Sequence, residues 1–413
     1  MKTNYIFTLA SLLSLLICQQ LSAATVYVDQ QNGDDQNDGL SPAMAVATVT
    51  QGLIVATPGD TLEISQGTYS TSTGETLPLA FSGDINIMGA GPELTVLDGE
   101  LNSQVLSVSG QNAVVSVDGV AVINGMAILG GGISVNRIGA FSITNCIVKD
   151  NEGNIGGGMF VASTAEFVID KCEFSGNNGG IGGAMQIEYV NDGDGNMYVT
   201  QSNFVENSAS AGSSIHFQGL GNGNHTLNIN QSQFINNNGG NNIRFQANEG
   251  LSFGLIANSL FADNSGNALN TQDASVDVVN VTFVNNGGAL TGAAQPNVIN
   301  SIFWDNSTEL GNPFLKMGGN VSFSIVQDLE FGDYVDGGNN IDLDPMLGSD
   351  FRIKPGSPAI DMGSNMAVDG FGLTQDIDLE QRKFDLLQLN RPAGFVDIGA
   401  NEIQDLIFEN DFQ

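Results

Sequence analysis

The fold is decided by the stretch from Phe167 to Asn177, which reads FVIDKCEFSGN, and by its copy from Met197 to Asn207, which reads MYVTQSNFVEN. In both copies, alternating apolar residues lead to a small residue, and a Phe then stands three places before an Asn. Asparagine recurs in this way at intervals of 20–30 residues, at Asn151, Asn177, Asn207, Asn237, Asn264, Asn286 and Asn306. Self-similarity at this period predicts a solenoid of one stacked unit.

Each repeat contains two segments that have the pattern of a strand. The first, Phe141 to Val148 in one copy, alternates apolar and polar residues with the two-residue period of a half-buried strand. The second follows a glycine-rich turn, as in Gly156 to Val161. A strand that recurs without an intervening helix pairs with its own copy in the next coil. The sequence therefore predicts an all-β parallel β-helix with two strands per coil, an asparagine ladder and a stacked Phe core.

An open end of a β-helix exposes core and unpaired strand edge. Residues 41–56 carry Ser41 and Pro42 at their start, spaced apolar residues, and Pro58-Gly59 after their end. This pattern predicts a short amphipathic capping helix over the first coil.

Two cysteines occupy the same place in successive repeats. Cys146 and Cys172 would stack about 4.8 Å apart, which is compatible with a disulfide. The next residues in that column are Ser202, Ser232 and Ser259, which indicates a position for a small side chain. We expect a stacked pair of free thiols, and the disulfide stays open.

The N-terminal residues 1–24 have the features of a secretory signal peptide: Lys2, a largely apolar run, and small residues at Ser22-Ala23-Ala24. Cleavage is expected after Ala23 or Ala24. No later segment is long and apolar enough to span a bilayer. We therefore expect an extracellular or cell-surface protein of a bacterium, with a Gram-negative source favoured. An acidic tail is assigned to residues 403–413.

The composition is strongly acidic. The chain has 11 Lys+Arg against 45 Asp+Glu, a net charge of −34, and loss of Lys2 with the signal peptide would give −35. Such a charge opposes binding to nucleic acid or to an anionic membrane. It also opposes binding to acidic polysaccharides, unless cations bridge the two.

Two parts of the chain resemble known families. Thr25 to Asp29, Gly33 to Gly39 and Ile87 to Gly91 resemble the opening of secreted right-handed parallel β-helix proteins of the pectate-lyase-like superfamily. The resemblance implies a right-handed, single-stranded β-helix, which we assign to residues 25–339. Residues 340–402 resemble the choice-of-anchor Q domain of bacterial surface and secreted proteins, through Asp344-Pro345, the run from Asp350 to Asp361, Arg382 and the run from Asp397 to Glu402. Leu379 and Asn401 depart from that family's usual residues.

The superfamily contains enzymes, but none of its catalytic sets is complete in this chain. Pectate-type lyases use calcium with an Arg or Lys base, and basic residues are not clustered in these repeats. Polygalacturonases carry an Asp trio with a Gly-His-Gly element, and neither His216 nor His225 lies in one. The resemblance therefore implies the fold and leaves enzymatic activity open.

The outward positions of the second strand form a column of polar and aromatic residues that suits an extended sugar chain: Ser134, Phe160, Gln186, His216, Arg244 and Asn270. We predict glycan contact at Gln186, Tyr189, His216, Arg244 and Asn270. Since the longest inserts lie in the same coils, Glu188, Asp192, His216 and Arg244 are also candidates for acid, base or electrostatic roles. The alternative is an ordinary solvated sheet face.

Two acidic turns have oxygen-rich side chains of the kind that calcium prefers. The first comprises Asp192, Asp194 and Asn196, in a loop that lacks the distal Glu of a calcium loop. The second contains Asp29, Asp34, Asp35 and Asp38. Calcium is the only cofactor that the sequence suggests, and a plain polar turn is the alternative at both places.

Together these observations predict a secreted bacterial β-helix surface protein, expected to be a monomer, that binds polysaccharide or a cell-envelope glycan. Two alternatives stay open. The first is a polysaccharide lyase or glycoside hydrolase with a non-standard site, and the second is a non-catalytic structural surface protein.

Overall fold

The computed structural model describes residues 23–162, 165–189, 193–219, 221–247, 252–272, 274–292, 296–307, 319–328, 335–384 and 395–404. Most of the predicted signal peptide (residues 1–22), Asp192 and residues 405–413 of the acidic tail lie outside these ranges. Among the described residues, no helix has the length and apolar character needed to cross a bilayer.

The described chain coils into a parallel β-helix, which confirms the predicted fold class. Its strands align into four sheets, A to D, in which neighbouring strands pair in parallel. Sheet A contains the strands Thr25–Val28, Thr61–Ile64, Asn86–Gly89, Val114–Asp118, Ala140–Thr144, Glu166–Asp170, Gly195–Thr200, His225–Asn230, Ser252–Ala257, Ala274–Val279, Asn297–Ile299, Asn320–Ser322 and Val335–Gly338.

Sheet B follows sheet A in each coil, after a sharp bend. It contains the strands Gly67–Tyr69, Thr95–Asp98, Ala121–Ile123, Ile147–Lys149, Glu173–Ser175, Asn203–Val205, Gln233–Ile235, Leu260–Ala262, Thr282–Val284, Ile302–Trp304 and Ile325–Val326.

Sheets C and D complete the coil. Sheet C contains the strands Leu79–Ser82, Leu106–Ser109, Ile133–Asn136, Met159–Ala162, Met185–Tyr189, Ile215–Gly219, Asn241–Ala247, Asn267–Asn270 and Gly288–Thr291. Sheet D lies between sheets B and C in the middle coils, with the strands Met126–Leu129, Glu152–Ile155, Asn178–Ile181, Ser208–Ala209 and Asn238–Gly239.

The prediction of two strands per coil is wrong, because the first predicted strand divides between sheets A and B. The residue at the division has a positive φ in successive coils, for example 48° at Asn145, 53° at Lys171 and 47° at Gln201. A left-handed residue turns the chain sharply, so the strand cannot continue across it. Since these positions hold Asn, Lys and Gln, no single residue type marked the bend.

The core is a stack of identical rings inside sheet B. Phe174, Phe204, Phe234, Phe261, Phe283 and Phe303 are fully buried, and their successive ring centroids are 4.6–5.1 Å apart. Cys146 and Cys172 are also buried, and both thiols are free.

The asparagine ladder runs beside the Phe stack. The Nδ2 of Asn177 donates to Oδ1 of Asn207 at 2.9 Å and to the carbonyl of Val148 at 2.8 Å. The same pattern links each ladder residue from Asn151 to Asn306 to the next. Every step therefore joins coils through a buried side chain.

The N-terminal cap is shorter than predicted. A 3₁₀ turn at Pro42–Met44 and an α-helix at Val49–Val55 replace one helix over residues 41–56. Between them the chain is extended, because Val46 forms a bridge to Val28 in sheet A. The Asp35 carboxylate accepts the N–H groups of Ala47 and Thr48, and Thr48 caps the α-helix.

The segment after Gly338 folds back over the outside of the last coils. Val368, on the helix Asn365–Phe371, and Val396 pack on Ala257 and Val279 of sheet A. A second cluster packs this segment on sheet B, with Ile353, Ile360 and Ile398 against Ile302 and Ile325. Polar bonds reinforce the contact, including that from the Ala400 N–H to the Thr282 hydroxyl (3.0 Å).

Candidate functional site

The outward column predicted on the second strand is in register on sheet C. Ser134, Phe160, Gln186, His216, Arg244 and Asn270 pair in sequence across six strands. Neighbouring strands are about 4.8 Å apart, so the column forms a regular row along the solenoid axis.

A second row lies two residues further along the same strands. Glu188, Gln218 and Gln246 are paired in register. Residues two apart on a strand share a face, so these side chains project on the same side as Gln186, His216 and Arg244. We call these six residues the polar ladder of sheet C. Gln218 and Gln246 were not predicted as site residues, although each lies two positions after a predicted one, His216 or Arg244.

His216 is the centre of a hydrogen-bond network within the ladder. Its Nδ1 lies 2.7 Å from Oε1 of Gln186, and its Nε2 lies 3.2 Å from Oε1 of Gln246. The Nε2 of Gln186 donates to Glu188 and to Gln218, both at 3.4 Å. A neutral imidazole has one donor and one acceptor. One of the two glutamine amides must therefore present its NH₂ group to His216.

Burial and charge keep this histidine neutral. Burial, and then the nearby Arg244 guanidinium, lower the pKa of His216 to about 4. Burial raises the pKa of Glu188, against the lowering effect of its bond from Gln186. At neutral pH the ladder therefore presents an uncharged imidazole, three amides, one guanidinium and one carboxyl group.

The first row of the ladder, Gln186, His216 and Arg244, lies next to the turns that connect sheets D and C. The turn at Gly212 has a φ of +62°, and a Cβ built there would be 2.6 Å from the Cβ of His216. Gln186 and His216 are buried, whereas Gln218, Arg244 and Gln246 are partly exposed. Within the described part of the chain, Nε of Arg244 is buried without a hydrogen-bond partner, although the residue as a whole is partly exposed. The accessible polar groups are therefore those of the second row and of Arg244.

Two aromatic residues expected on this surface are not available there. Tyr189 is 3% exposed and belongs to the core, where its ring stacks on His225 at 4.8 Å and lies against Gly195. It points inward because it is two residues beyond Ile187, an inward position of the same strand. Phe160 belongs to the outward column but is only 6% exposed.

The structure describes three of the four residues predicted for acid, base or electrostatic roles. Glu188, His216 and Arg244 come together in the ladder, while Asp192 lies outside the described residues. Asn270 continues the first row beyond Arg244, and its Nδ2 donates to Oδ1 of Asn241 at 3.3 Å.

Several side-chain oxygens of the predicted calcium ligands accept hydrogen bonds from other groups of the protein. Oδ1 of Asp194 accepts the Asn224 N–H at 2.8 Å, and Oδ1 of Asn196 accepts the Thr226 hydroxyl at 2.7 Å. Near the N terminus, Asp29 and Asp35 each accept two backbone N–H groups. No group of three or more His, Cys, Asp or Glu with a metal-binding arrangement occurs among the described residues. Calcium binding stays a prediction, which a melting temperature measured with and without EDTA would test.

The fold is similar to that of a solved pectate lyase, and two further solved structures match more weakly. A pectate lyase, Pel9A, superposes with a TM-score of 0.57 at 15% identity, over 94% of this chain and 98% of that one. A mannuronic acid-specific family 6 polysaccharide lyase from the human gut microbiota gives 0.43 at 16% identity, over 67% and 61%. The GH136 lacto-N-biosidase of Eubacterium ramulus gives 0.46 at 12% identity, over 78% and 68%. No protein-family model and no curated protein matches the sequence. At these identities the Pel9A match establishes the class of fold, a parallel β-helix.

Proposed function

We propose that this chain is a secreted glycan-binding protein whose contact surface is the polar ladder of sheet C. The observation that carries the proposal is the register of Gln186, His216 and Arg244 beside Glu188, Gln218 and Gln246. The partly exposed amides of Gln218 and Gln246 and the guanidinium of Arg244 offer hydrogen-bonding groups to sugar hydroxyls, and the buried Gln186 and His216 hold this row in place. Their repeat along the solenoid matches a ligand that is itself a repeating chain. The fold likeness to Pel9A, named as a pectate lyase, agrees with a saccharide ligand.

The ligand we propose is neutral rather than acidic. The ladder pairs one guanidinium with one carboxyl group, and His216 carries no charge at neutral pH. The whole chain has a net charge of −34, which repels a polyanion. A polymer of neutral sugars avoids this repulsion and still uses the amides of Gln218 and Gln246.

Binding is favoured over cleavage by the state of His216. Both of its ring nitrogens face glutamine amides, so neither is free to accept a proton from a substrate. Glu188 is the remaining acid–base candidate in the ladder, and a lyase or hydrolase that uses it is the enzymatic alternative. A purely structural surface protein is the third reading. Secretion through residues 1–24 and a choice-of-anchor Q type role for residues 340–402 are parts of the same proposal.

Affinity electrophoresis tests the binding surface. Gels would contain hydroxyethylcellulose, xylan or galactomannan as neutral polymers, and polygalacturonate or alginate as acidic ones. We expect retardation by at least one neutral polymer and its loss in the Gln218→Ala/Gln246→Ala double variant. The matched control is Gln36→Ala/Gln51→Ala, which removes one glutamine from the loop before the N-terminal cap and one from the α-helix of the cap.

The same polymers separate binding from catalysis. New reducing ends would indicate a hydrolase, and ultraviolet absorbance of an unsaturated product would indicate a lyase. Either signal, abolished by Glu188→Gln, would replace the binding proposal with the enzymatic one. Absence of both retardation and cleavage for all five polymers would contradict the proposal.

A further inference from the structure

Two aromatic rings are exposed on the outer face of sheet A, a different side of the solenoid from the polar ladder. Tyr198 is 38% exposed and Phe253 is 43% exposed. The other large aromatic side chains of the described coils are mostly packed in the core. Exposed apolar side chains that share one face of a sheet can mark an interaction site. Tyr198 and Phe253 are therefore candidates for contact with a ligand.

The two rings flank one strand. Tyr198 is in register with Asn228, and Phe253 is in register with Thr226. The strands of the two aromatic residues are separated by one intervening strand and the rings are offset by two residues, so their Cα atoms are about 12 Å apart. At that separation each ring can stack on a different sugar of one extended chain.

Hydrogen-bonding groups fill the space between the rings. The Thr226 hydroxyl donates to Oδ1 of Asn196 at 2.7 Å, and Nδ2 of Asn228 donates to the Thr226 hydroxyl at 3.5 Å. All three side chains are partly exposed. Oδ1 of Asn228 and the amide of Asn196 can therefore bond hydroxyl groups of a ligand that lies across the rings.

The charge on this face of sheet A restricts which ligands can bind across the two rings. Glu166 is in register with Asn196, and Asp277 is in register with Leu255 on the row of Tyr198. Phe253 belongs to a row of paired residues that runs from Ala140 to Ser275, and Tyr198 belongs to a row that runs from Ser142 to Asn297. Among the described residues, neither row contains a Lys or an Arg. An acidic polymer would be repelled, and so would a second copy of this acidic chain. A neutral sugar chain avoids both penalties.

We infer that Tyr198, Thr226, Asn228 and Phe253 form a second glycan-binding surface, the aromatic platform, which takes neutral polysaccharide. The apolar C–H faces of the sugars stack on the rings, and their hydroxyl groups bond the threonine and asparagine side chains. The platform does not depend on the polar ladder, because the two surfaces lie on different sheets. With both in use, one molecule can connect two glycan chains.

The test measures affinity electrophoresis in hydroxyethylcellulose, xylan and galactomannan for the Tyr198→Ala/Phe253→Ala variant. We expect affinity for the retained polymer to fall at least about tenfold. Tyr198→Phe/Phe253→Tyr keeps both rings and should bind like the parent. Ile128→Ala removes a side chain that is 70% exposed on sheet D, and it controls for loss of exposed apolar area. Circular dichroism and thermal melts verify the fold of each variant.

The outcomes separate the two surfaces. Loss of binding in the aromatic variant supports the platform whatever the polar-ladder variant does. Parental affinity in the aromatic variant overturns the platform, even if Gln218→Ala/Gln246→Ala abolishes binding and so supports the ladder. Retardation by polygalacturonate or alginate alone overturns the platform. The platform is also overturned if light scattering shows that the parent protein is a dimer and that the aromatic variant is a monomer.

Discussion

The backbone nitrogen of Ala24 lies 2.7 Å from Oδ1 of Asp60. Asp60 is buried, and its other carboxylate oxygen accepts the N–H and the hydroxyl of Thr57, both at 2.8 Å. Burial alone would raise the pKa of Asp60, but the bonds from Thr57 and Ala24 hold it below its ordinary value. The charged carboxylate of Asp60 therefore lies beside Ala24, which directly precedes the first strand.

If the signal peptide proposed for residues 1–24 is removed, this contact predicts which of the two expected cleavage positions is used. Cleavage after Ala23 converts the Ala24 nitrogen into an ammonium group beside Asp60, which strengthens the bond by charge. We expect intact-mass measurement of the secreted protein to give Ala24 as the first residue. In that mature chain, Asp60→Asn should lower the free energy of unfolding by about 2 kcal/mol. A mature chain that begins at Thr25 would contradict the prediction, because it lacks this nitrogen.

The asparagine ladder should be sensitive to a single truncation. Asn207→Ala removes the oxygen that accepts the backbone N–H and the side-chain Nδ2 of Asn177, and it removes the donor to the Phe174 carbonyl. These groups of Asn177 and Phe174 then remain buried without these partners. We expect a loss of about 3 kcal/mol, measured as a shift of the urea midpoint at constant slope. Asn203→Ala, on the exposed side of the same coil, is the control and should change stability by less than about 0.5 kcal/mol. Equal effects of the two substitutions would refute a special role for the ladder.

Stability should fall as pH rises, because the C-terminal segment buries several carboxyl groups around Arg382. Burial raises the pKa of Asp397 to about 7. Burial, and then Asp397, raise the pKa of Glu402 to about 9, even though Nη1 of Arg382 is only 3.7 Å from it. A carboxyl group with a raised native pKa binds its proton more tightly when folded. Its stabilising effect is complete below the unfolded pKa near 4 and is lost as pH rises through the native value.

The measurement is the urea midpoint from pH 5 to pH 9, which we expect to decline throughout. Glu402→Gln imitates the protonated acid, so it should match the parent at pH 6 and flatten the decline towards pH 9. A parent midpoint that rises across this range would show that the segment is held by ionised carboxylates instead.

Glycan affinity at the polar ladder should be constant from pH 6 to pH 8. The pKa of His216 is about 4, so the imidazole remains neutral in this range and its bonds to Gln186 and Gln246 do not change. Affinity electrophoresis at intervals across the range provides the check, with Glu188→Gln removing the other titrating group of the ladder. A tenfold change that persists in Glu188→Gln would mean that His216 titrates near neutrality.

Much of the scaffold could be predicted because its repeated residues are its structural contacts. Asn177, Asn207 and Asn237 each bond the next copy of themselves, and Phe174, Phe204 and Phe234 stack on their own copies. The rows of sheet C followed from the same alignment, since a period of two assigns the face of each residue once the register is known.

The period, the asparagine ladder, the Phe core and the register of the rows were all predictable from the repeated residues. Other features emerged only in the folded chain: the bends at Asn145 and Lys171, the burial of Tyr189, the exposure of Tyr198 and Phe253, and the packing of the C-terminal segment on Ala257 and Val279. The physical reason is the range of the interactions. Contacts between equivalent residues of neighbouring coils repeat in the sequence, whereas a turn conformation is open to several residue types. Exposure also depends on which distant segment covers a face, and nothing in a local pattern records that.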